Sequence, residues 1–209
     1  MAEVEAIPAS SVLLLRDSPL RVLMMHRHEK SAFVPGMWVF PGGAVEETDH
    51  RETTLDTMRV AGARETFEET GIWLGDETRL FRRDATLEEL MHQAPLDWTR
   101  LVWTSHWITP IGIPMRFDTW FFLIAVRDAV IDAVPNRESL EMRWIEPREA
   151  LRLHSSNEKP MVFPTVKNLE AIEAFDSAAE LIASRHGATI EPVQPRLVID
   201  GGRKKIVLP

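Results

Sequence analysis

Three glutamates, Glu65, Glu68 and Glu69, stand within five consecutive residues of the chain. In a helix, positions i, i+3 and i+4 share one surface, so this spacing brings the three carboxylates together. Like charges so close repel one another unless a cation compensates them. Mg²⁺ prefers oxygen ligands and is commonly held by carboxylates together with substrate phosphates. The spacing therefore predicts a divalent-cation site that can polarise a diphosphate and activate an attacking water.

The residues around the glutamates distinguish this site from an ordinary solvated acidic face. Arg64 precedes the cluster and can orient a neighbouring carboxylate. Upstream, Gly42 and Gly43 follow a Phe-Pro pair and allow the backbone to approach closely, where a carbonyl can add a metal ligand. An acidic helix face alone is usually just solvated, and these additional residues favour the catalytic interpretation.

A helix must position the carboxylates, and the sequence predicts one over residues 53–70 that Gly71 ends. At 100° per residue, Val60, Ala63 and Phe67 fall on one side and the three glutamates on the other. We expect this helix to bury the first side and to present the carboxylates on the opposite one.

The remaining pattern predicts a mixed sheet, because several strands follow one another without an intervening helix. Predicted strands cover residues 11–16, 21–27, 37–40, 107–110, 118–126 and 141–145. Predicted helices cover residues 86–92, 96–102, 147–153 and 164–185, and the tail from residue 190 has no clear pattern. The fold class is therefore α+β.

Composition excludes several classes of protein. The 209 residues include no Cys, which rules out disulfides, Cys-ligated zinc, iron–sulfur clusters and thiol catalysis. The 24 basic against 32 acidic residues give a net charge of −8, which argues against a nucleic-acid duplex as partner. No apolar run approaches the length of a membrane span, and the N-terminus lacks a signal pattern, so a cytoplasmic location is expected.

The stretch RETFEETGI, residues 64–72, matches R-E-U-x-E-E-x-G-U, where U is a bulky apolar residue and Thr66 is the one weak match. It resembles the Nudix box, the signature of the Nudix hydrolases. The resemblance implies an α/β/α sandwich with a mixed β-sheet between helices. It also implies a single domain over residues 1–209, with the box region at 42–72, a helical insert at about 74–104 and a C-terminal helix at about 164–186.

The box departs from the standard pattern in one spacing. Gly43 and Arg64 lie 21 positions apart, seven more than in the family's pattern. The family's upstream glutamate falls at Asp49 counted from the glycine and at Asp56 counted back from the arginine. Further acidic candidates are Glu46, Glu47 and Glu52, and the sequence assigns the role to none of them.

The resemblance implies hydrolysis of a diphosphate bond with Mg²⁺ or Mn²⁺ as cofactor and a small phosphorylated nucleotide-type substrate as partner. The implied catalytic residues are Arg64, Glu65, Glu68, Glu69 and Glu138, and Glu141 is a weaker alternative to Glu138. The implied metal ligands are Gly43, Glu65, Glu68 and Glu69. The implied substrate-binding residues are Arg27, Gly42, Gly43 and Arg116.

The long loop after the double glycine is similar to the subgroup that includes peroxisomal coenzyme A diphosphatases. Their coenzyme A motif is matched at Leu23, Arg27, Gly36 and Phe40 to Gly43, whereas Met24, Met25, His28 and Ala32 depart from it. Coenzyme A or an acyl-coenzyme A is therefore one substrate class. ADP-ribose or an NADH-type dinucleotide is the alternative, and a ligand-sensing Nudix domain with little catalysis is another.

The insert over residues 74–104 is too apolar to stand free in water, since it carries Leu90, Trp98, Leu101 and Trp103. We expect it to form a wall of the substrate site or a homodimer contact. Trp103, Trp107 and Trp120 could stack on a nucleobase, although core packing is commoner for such residues.

Overall fold

The computed structural model describes residues 4–31, 33–127, 129–136, 139–200 and 203–208. Its strands are β1 (Ile7–Arg16), β2 (Arg21–Arg27), β3 (Trp38–Val39), β4 (Gly42–Ala44), β5 (Val102–Ile108), β6 (Phe117–Ala125), β7 (Ser139–Ile145), β8 (Pro192–Val193), β9 (Arg196–Asp200) and β10 (Arg203–Val207). Its α-helices are α1 (Thr54–Thr70), α2 (Leu87–Gln93), α3 (Pro147–Ser155), α4 (Phe163–Ile172) and α5 (Ala178–Arg185).

Eight of the strands form one mixed sheet in the order β3-β2-β1-β6-β5-β8, with β4 paired to β1 and β7 paired to β2. The central β1 runs parallel to β6 along nearly its whole length, and β5 runs parallel to β8. The other neighbouring strands are antiparallel, and β9 pairs with β10 as a separate hairpin. The mixed sheet predicted from the sequence is confirmed.

Helices cover both faces of the sheet, as the alternation of β1 requires. Leu13 and Leu15 pack with Leu153, Leu169 and Leu181 of the last three helices. On the other face, Val12 and Leu14 pack with α1 and with the insert that contains α2. The sheet therefore lies between two helical layers, which is the sandwich expected from the sequence.

Helix α1 has the ends that the sequence predicts. The Thr53 side chain accepts a hydrogen bond from the backbone N–H of Asp56, which caps the first turn. Gly71 ends the helix in the left-handed region at φ 82°, and its N–H donates to the carbonyl oxygen of Phe67. The predicted buried side is also confirmed, since Phe67 is 1% exposed.

The long C-terminal helix predicted over residues 164–185 is wrong, because the structure has two helices there. α4 ends at Ile172, and α5 begins after Ser177, whose side chain accepts from the N–H of Glu180. Asp17 accepts from the N–H of Ala178 and fixes the start of α5 from the first hairpin. Apolar residues recur at helical spacing on both sides of the break between α4 and α5, so the sequence predicted one continuous helix and the cap at Ser177 was missed.

The helix predicted over residues 96–102 is also wrong. Only the single 3-10 turn Trp98–Arg100 forms, with Asp97 accepting from the N–H of Thr99. β5 then begins at Val102, five residues before the predicted strand start. The run Val102-Trp103-Thr104 consists of β-branched and aromatic residues, which favour a strand.

No helix in the described part of the chain is long and apolar enough to cross a membrane.

Candidate active site

The double glycine of β4 lies where two elements leave no space for a side chain. Gly42 has φ 154°, and a Cβ there would lie 2.3 Å from the backbone oxygen of Ser10 in β1. A Cβ on Gly43 would lie 2.5 Å from Oε1 of Glu65 in α1. Both contacts are far below normal van der Waals separation. The glycines therefore allow β4 to pack directly between the central strand and the Glu65 carboxylate.

Glu69 is held by the same strand. It is 3% exposed, and its Oε2 accepts a 2.8 Å hydrogen bond from the backbone N–H of Gly42. Its Oε1 lies 3.7 Å from Nη1 of Arg27 on β2. The sequence predicted that the carboxylates face away from the buried side of α1. The structure corrects this for Glu69, because β4 folds over that part of the helix and buries it.

Arg64 links Asp49, which follows β4, to the carboxylates of α1. Its Nε and Nη2 donate to the two carboxylate oxygens of Asp49 at 2.9 and 2.8 Å. Its Nη1 donates to Glu65 Oε1 and to Glu68 Oε2, each at 3.0 Å. The planar fork of arginine makes this arrangement directional, so one side chain orients two carboxylates of the cluster at once.

Asp49 is the acidic partner that the changed spacing left unassigned. It is fully buried in the described structure, and its Oδ2 also accepts from the N–H of Glu46. Asp56, the other candidate, lies in the first turn of α1 and contacts Thr53 and Arg59 instead. The count from the glycine therefore locates the partner of Arg64, and the seven extra residues fall between Asp49 and the body of α1. The number of residues between Gly43 and Asp49 was the sequence signal that could have identified Asp49 as the partner of Arg64.

The acidic cluster carries an electrostatic cost. Burial raises the pKa of Glu65 to about 7, although Arg64 opposes that shift. Burial also raises the pKa of Glu68, again against the effect of Arg64. Both carboxylates share one nitrogen of one guanidinium group, so the positive charge present near them is small. A further cation would stabilise their charged forms.

The donor set fits a hard divalent cation. Glu65, Glu68 and Glu69 supply carboxylate oxygens, and the Gly43 backbone stands against Glu65 without an intervening side chain. Within the described ranges, no three acidic or histidine side chains already converge on one point. Mg²⁺ commonly uses one or two carboxylates and fills its remaining positions with water and substrate phosphates. The residues present meet that smaller requirement.

A cavity of about 540 Å³, which we call the cleft, opens beside these carboxylates. Its charged lining residues are Arg27, Glu46, Glu65, Glu68 and Glu69, and they form what we call the charged end. Most of its other lining residues are apolar, and the apolar end, as we call it, consists of Phe33, Trp107, Ile113, Phe117, Phe163, Pro195 and Ile206. This volume is typical of a small-molecule site.

The predicted substrate-binding residues occupy different places. Gly42, Gly43 and Arg27 line the cleft. Arg116 is 4% exposed, and it donates to the carbonyl oxygens of Thr109 and Val4 at 3.0 and 2.6 Å. Its described hydrogen bonds tie the N-terminal segment to the turn between β5 and β6, and its role toward a substrate stays a prediction.

The predicted base Glu138 lies outside the described residues. The alternative, Glu141, lies exposed on β7, and its Oε2 is 3.9 Å from Nζ of Lys159. Both roles stay predictions.

The insert does not line the cleft, since none of its residues, all within the described part of the chain, is among the lining residues, and its alternative role as a homodimer contact stays a prediction. Leu90 and Leu101 are buried with Phe67 and Trp73 in the core beneath α1. The Trp73 indole N–H donates to the carbonyl oxygen of Ala94 at 2.8 Å. Apolar residues draw the insert onto the body of the domain rather than over the substrate.

The insert supplies one residue that the sequence analysis missed. Arg83 donates from Nη1 to the carbonyl oxygen of Phe67 at 3.2 Å and from Nη2 to that of Glu68 at 3.0 Å. Both carbonyls belong to the last turn of α1, and that of Phe67 also accepts from the N–H of Gly71, so Arg83 adds a side-chain donor to this helix end. The insert therefore secures the end of the helix that carries Glu68 and Glu69. No local pattern marks an arginine for this task.

The tryptophans divide between the two faces of the sheet. Trp103 and Trp120 stack on each other with ring centroids 4.0 Å apart, on the face opposite to the cleft. Trp107 lines the cleft and meets Phe163 edge to face at 5.8 Å. Only Trp107 is placed to contact a ligand in the cleft.

Comparison with known proteins agrees with this geometry. Residues 6–164 match the NUDIX domain. The Caenorhabditis elegans protein named "Putative nudix hydrolase 7" is 34% identical over 158 residues, covering 68% of this chain and 52% of that protein. Acyl-coenzyme A diphosphatase NUDT19 of Xenopus laevis is 26% identical, covering 67% of this chain and 56% of that protein. The chain thus spans little more than half the length of these relatives.

A solved structure has the same fold. The crystal structure of a NUDIX hydrolase from Alicyclobacillus acidocaldarius superposes with a TM-score of 0.77 at 24% identity, covering 87% of this chain and 97% of that one. The domain match extends over more than half of the chain and includes every described residue of the carboxylate cluster. The chain therefore belongs to the Nudix family.

Proposed function

We propose that this protein hydrolyses the diphosphate bond of a nucleoside diphosphate linked to another group, with Mg²⁺ or Mn²⁺ as cofactor. Nudix hydrolases generally use divalent metal ions. The observation that carries the proposal is that one cleft is lined both by the carboxylates of α1 with Arg27 and by apolar side chains. Such a cleft can hold a charged diphosphate at one end and a bulky uncharged group at the other.

The residues of the charged end have separable tasks in this proposal. One or two of Glu65, Glu68 and Glu69, with the Gly43 carbonyl, would hold a divalent cation, which would supply Lewis-acid polarisation of the diphosphate and a more acidic water. Arg64 orients Glu65 and Glu68, and the Gly42 N–H orients Glu69. Arg27 would bind a phosphate oxygen at the cleft. One of the box carboxylates, or Glu138, would take the proton of the attacking water.

For the substrate class we propose coenzyme A or an acyl-coenzyme A. Two kinds of support favour it: the similarity to relatives named acyl-coenzyme A diphosphatase, and an apolar end of the cleft that would accommodate a pantetheine or acyl group. ADP-ribose or an NADH-type dinucleotide is the second candidate, favoured by Trp107, whose ring could stack on a base.

A ligand-sensing role with little catalysis is the alternative of another class. Such a role would not require the carboxylates to be oriented. In this chain Glu65, Glu68 and Glu69 are all present, and each accepts a hydrogen bond from Arg64 or from the Gly42 N–H. This arrangement favours turnover over sensing.

A panel of diphosphates tests the proposal directly. Coenzyme A, octanoyl-coenzyme A, ADP-ribose and NADH are incubated with Mg²⁺ or Mn²⁺, and the products are identified by mass. The matched pair of variants is Glu69→Gln in the cluster and Glu88→Gln on the exposed face of α2. We expect metal-dependent cleavage of the coenzyme A substrates that Glu69→Gln removes and Glu88→Gln retains. Ligand binding without turnover of any member would favour the sensing role.

A further inference from the structure

The hairpin of β9 and β10 lies beyond residues 6–164, the part of the chain that matches the NUDIX domain. It nevertheless reaches the site, because Ile206 of β10 and Pro195, just before β9, both line the apolar end of the cleft. The wall of this cleft is therefore completed by a segment outside the matched domain.

The edge of the sheet brings the hairpin to this position. β8 pairs in parallel with β5, with Pro192 opposite His106 and Val193 opposite Trp107. Trp107 itself lines the cleft, so the chain leaves β8 beside the site and continues into Pro195. The hairpin also approaches the turn between β5 and β6. Cδ2 of Leu197 lies 3.8 Å from the position that a Cβ on Gly112 would occupy in that turn.

Two isoleucines lie on the same face of the hairpin at different distances from its base. Ile206 pairs with Leu197 at the base of the hairpin, is partly buried, and faces the cleft. Ile199 lies two residues further along β9, pairs with Lys204 and is 76% exposed. The hairpin therefore carries one isoleucine against the cleft, Ile206, and one in solvent, Ile199, which can serve as its matched control.

The chemistry of the surrounding wall indicates what Ile206 would contact. Pro195, Phe163 and Phe117 are its companions at the apolar end, and the five charged lining residues come from β2, the segment after β4, and α1. A wall of aliphatic and aromatic groups gains from burying an aliphatic substituent and offers nothing to a charged one.

We propose that Ile206 is a specificity-determining residue, at which the C-terminal hairpin contacts an aliphatic substituent of the substrate in the cleft. This inference rests on the proposed function and adds to it a residue that selects among acyl-coenzyme A substrates. Because hydrophobic pockets distinguish ligands by about one order of magnitude per methylene, changes in the volume of one side chain are measurable.

The test compares kcat/KM for coenzyme A and for a series of acyl-coenzyme A substrates of increasing chain length. The variants are Ile206→Ala, Ile206→Trp and the control Ile199→Ala, with melting temperatures measured in parallel. We expect Ile206→Trp to lower kcat/KM for the longer acyl chains about tenfold relative to coenzyme A. Ile206→Ala should move the preferred chain length, and Ile199→Ala should retain the wild-type ranking.

Failure of the inference and failure of the proposed function give different results. If the wild type cleaves coenzyme A substrates and both Ile206 variants keep its acyl-chain ranking, the assignment of Ile206 is overturned and the proposed function stands. If the wild type cleaves only ADP-ribose or dinucleotides, the proposed substrate class is wrong and the inference falls with it. Where Ile206→Trp does not fold, the ranking of Ile206→Ala decides.

Discussion

The two ends of the cleft are built in different ways. Nearly all of the charged end comes from one stretch, residues 42–69, and its parts are locked by direct contacts such as those of Arg64 and the double glycine. The apolar end is assembled from four distant segments, around residues 33, 107–121, 162–165 and 195–206. Under the proposed function, different parts of the chain determine the chemistry and the substrate preference, so we expect the two to vary independently.

The largest expected effect is at the charged end. Glu69→Gln keeps the shape of the side chain and an oxygen that can accept from the Gly42 N–H, but it removes a charged ligand. We expect a loss of turnover of about 100-fold or more, with an unchanged fold, measured at saturating Mg²⁺ together with the melting temperature. Near wild-type turnover would show that Glu69 does not serve the metal. Glu88→Gln is the control.

Asp49→Asn should have the next largest effect, because Asp49 binds Arg64 through both carboxylate oxygens. The variant removes the negative charge that faces Nε and Nη2 of the buried guanidinium, and we expect a 10- to 100-fold loss of turnover for every substrate, of the size seen for residues that support metal ligands. Loss of stability is expected as well. The matched control is Asp56→Asn, which changes only contacts in the exposed first turn of α1. Equal effects of the two changes would contradict the assignment of Asp49.

The contrast between the ends also explains what the sequence could predict. The carboxylate cluster follows from helical spacing within one element, so Glu65, Glu68 and Glu69 could be placed together from the sequence alone. Even Asp49 is reached by counting from a glycine. The apolar end depends on pairings between distant segments, such as β8 with β5 and Phe33 with Phe117, which no local pattern encodes.

Burial of Glu69 is a further case that the sequence could not predict. Its neighbours along the helix indicated a solvated face, but the covering strand lies 27 positions away in the chain. The same reason applies to the break between α4 and α5, where Asp17 from the first hairpin helps to fix the start of the second helix. Tertiary contacts override the local pattern at each of these points.

Phe67→Ala should separate stability from turnover. The ring is 1% exposed and meets Trp73 edge to face at 6.4 Å, on the side of α1 away from the cleft. Truncation of a buried Phe typically costs about 3–5 kcal/mol of unfolding free energy, and we expect that loss here by denaturant titration. Turnover of the molecules that remain folded should change little at low temperature. Leu80→Ala, at an exposed position of the insert, is the control. An unchanged unfolding free energy would mean that the orientation of α1 is wrong.

The smallest effect expected is that of Arg83→Met, and it tests the separation of the two ends most sharply. Arg83 binds carbonyl oxygens in the last turn of α1, where a positive charge near a helix C-terminus is typically worth about 0.3–1 kcal/mol. Since its contacts are on the helix that carries the carboxylates and not on the apolar end, kcat should fall about two- to fivefold for all substrates by the same factor. Arg82→Met is the matched control, because Arg82 pairs only with exposed Asp84 among the described contacts. A change in the acyl-chain ranking with Arg83→Met would show that the insert acts on both ends of the cleft, and the two could then no longer be treated as independent.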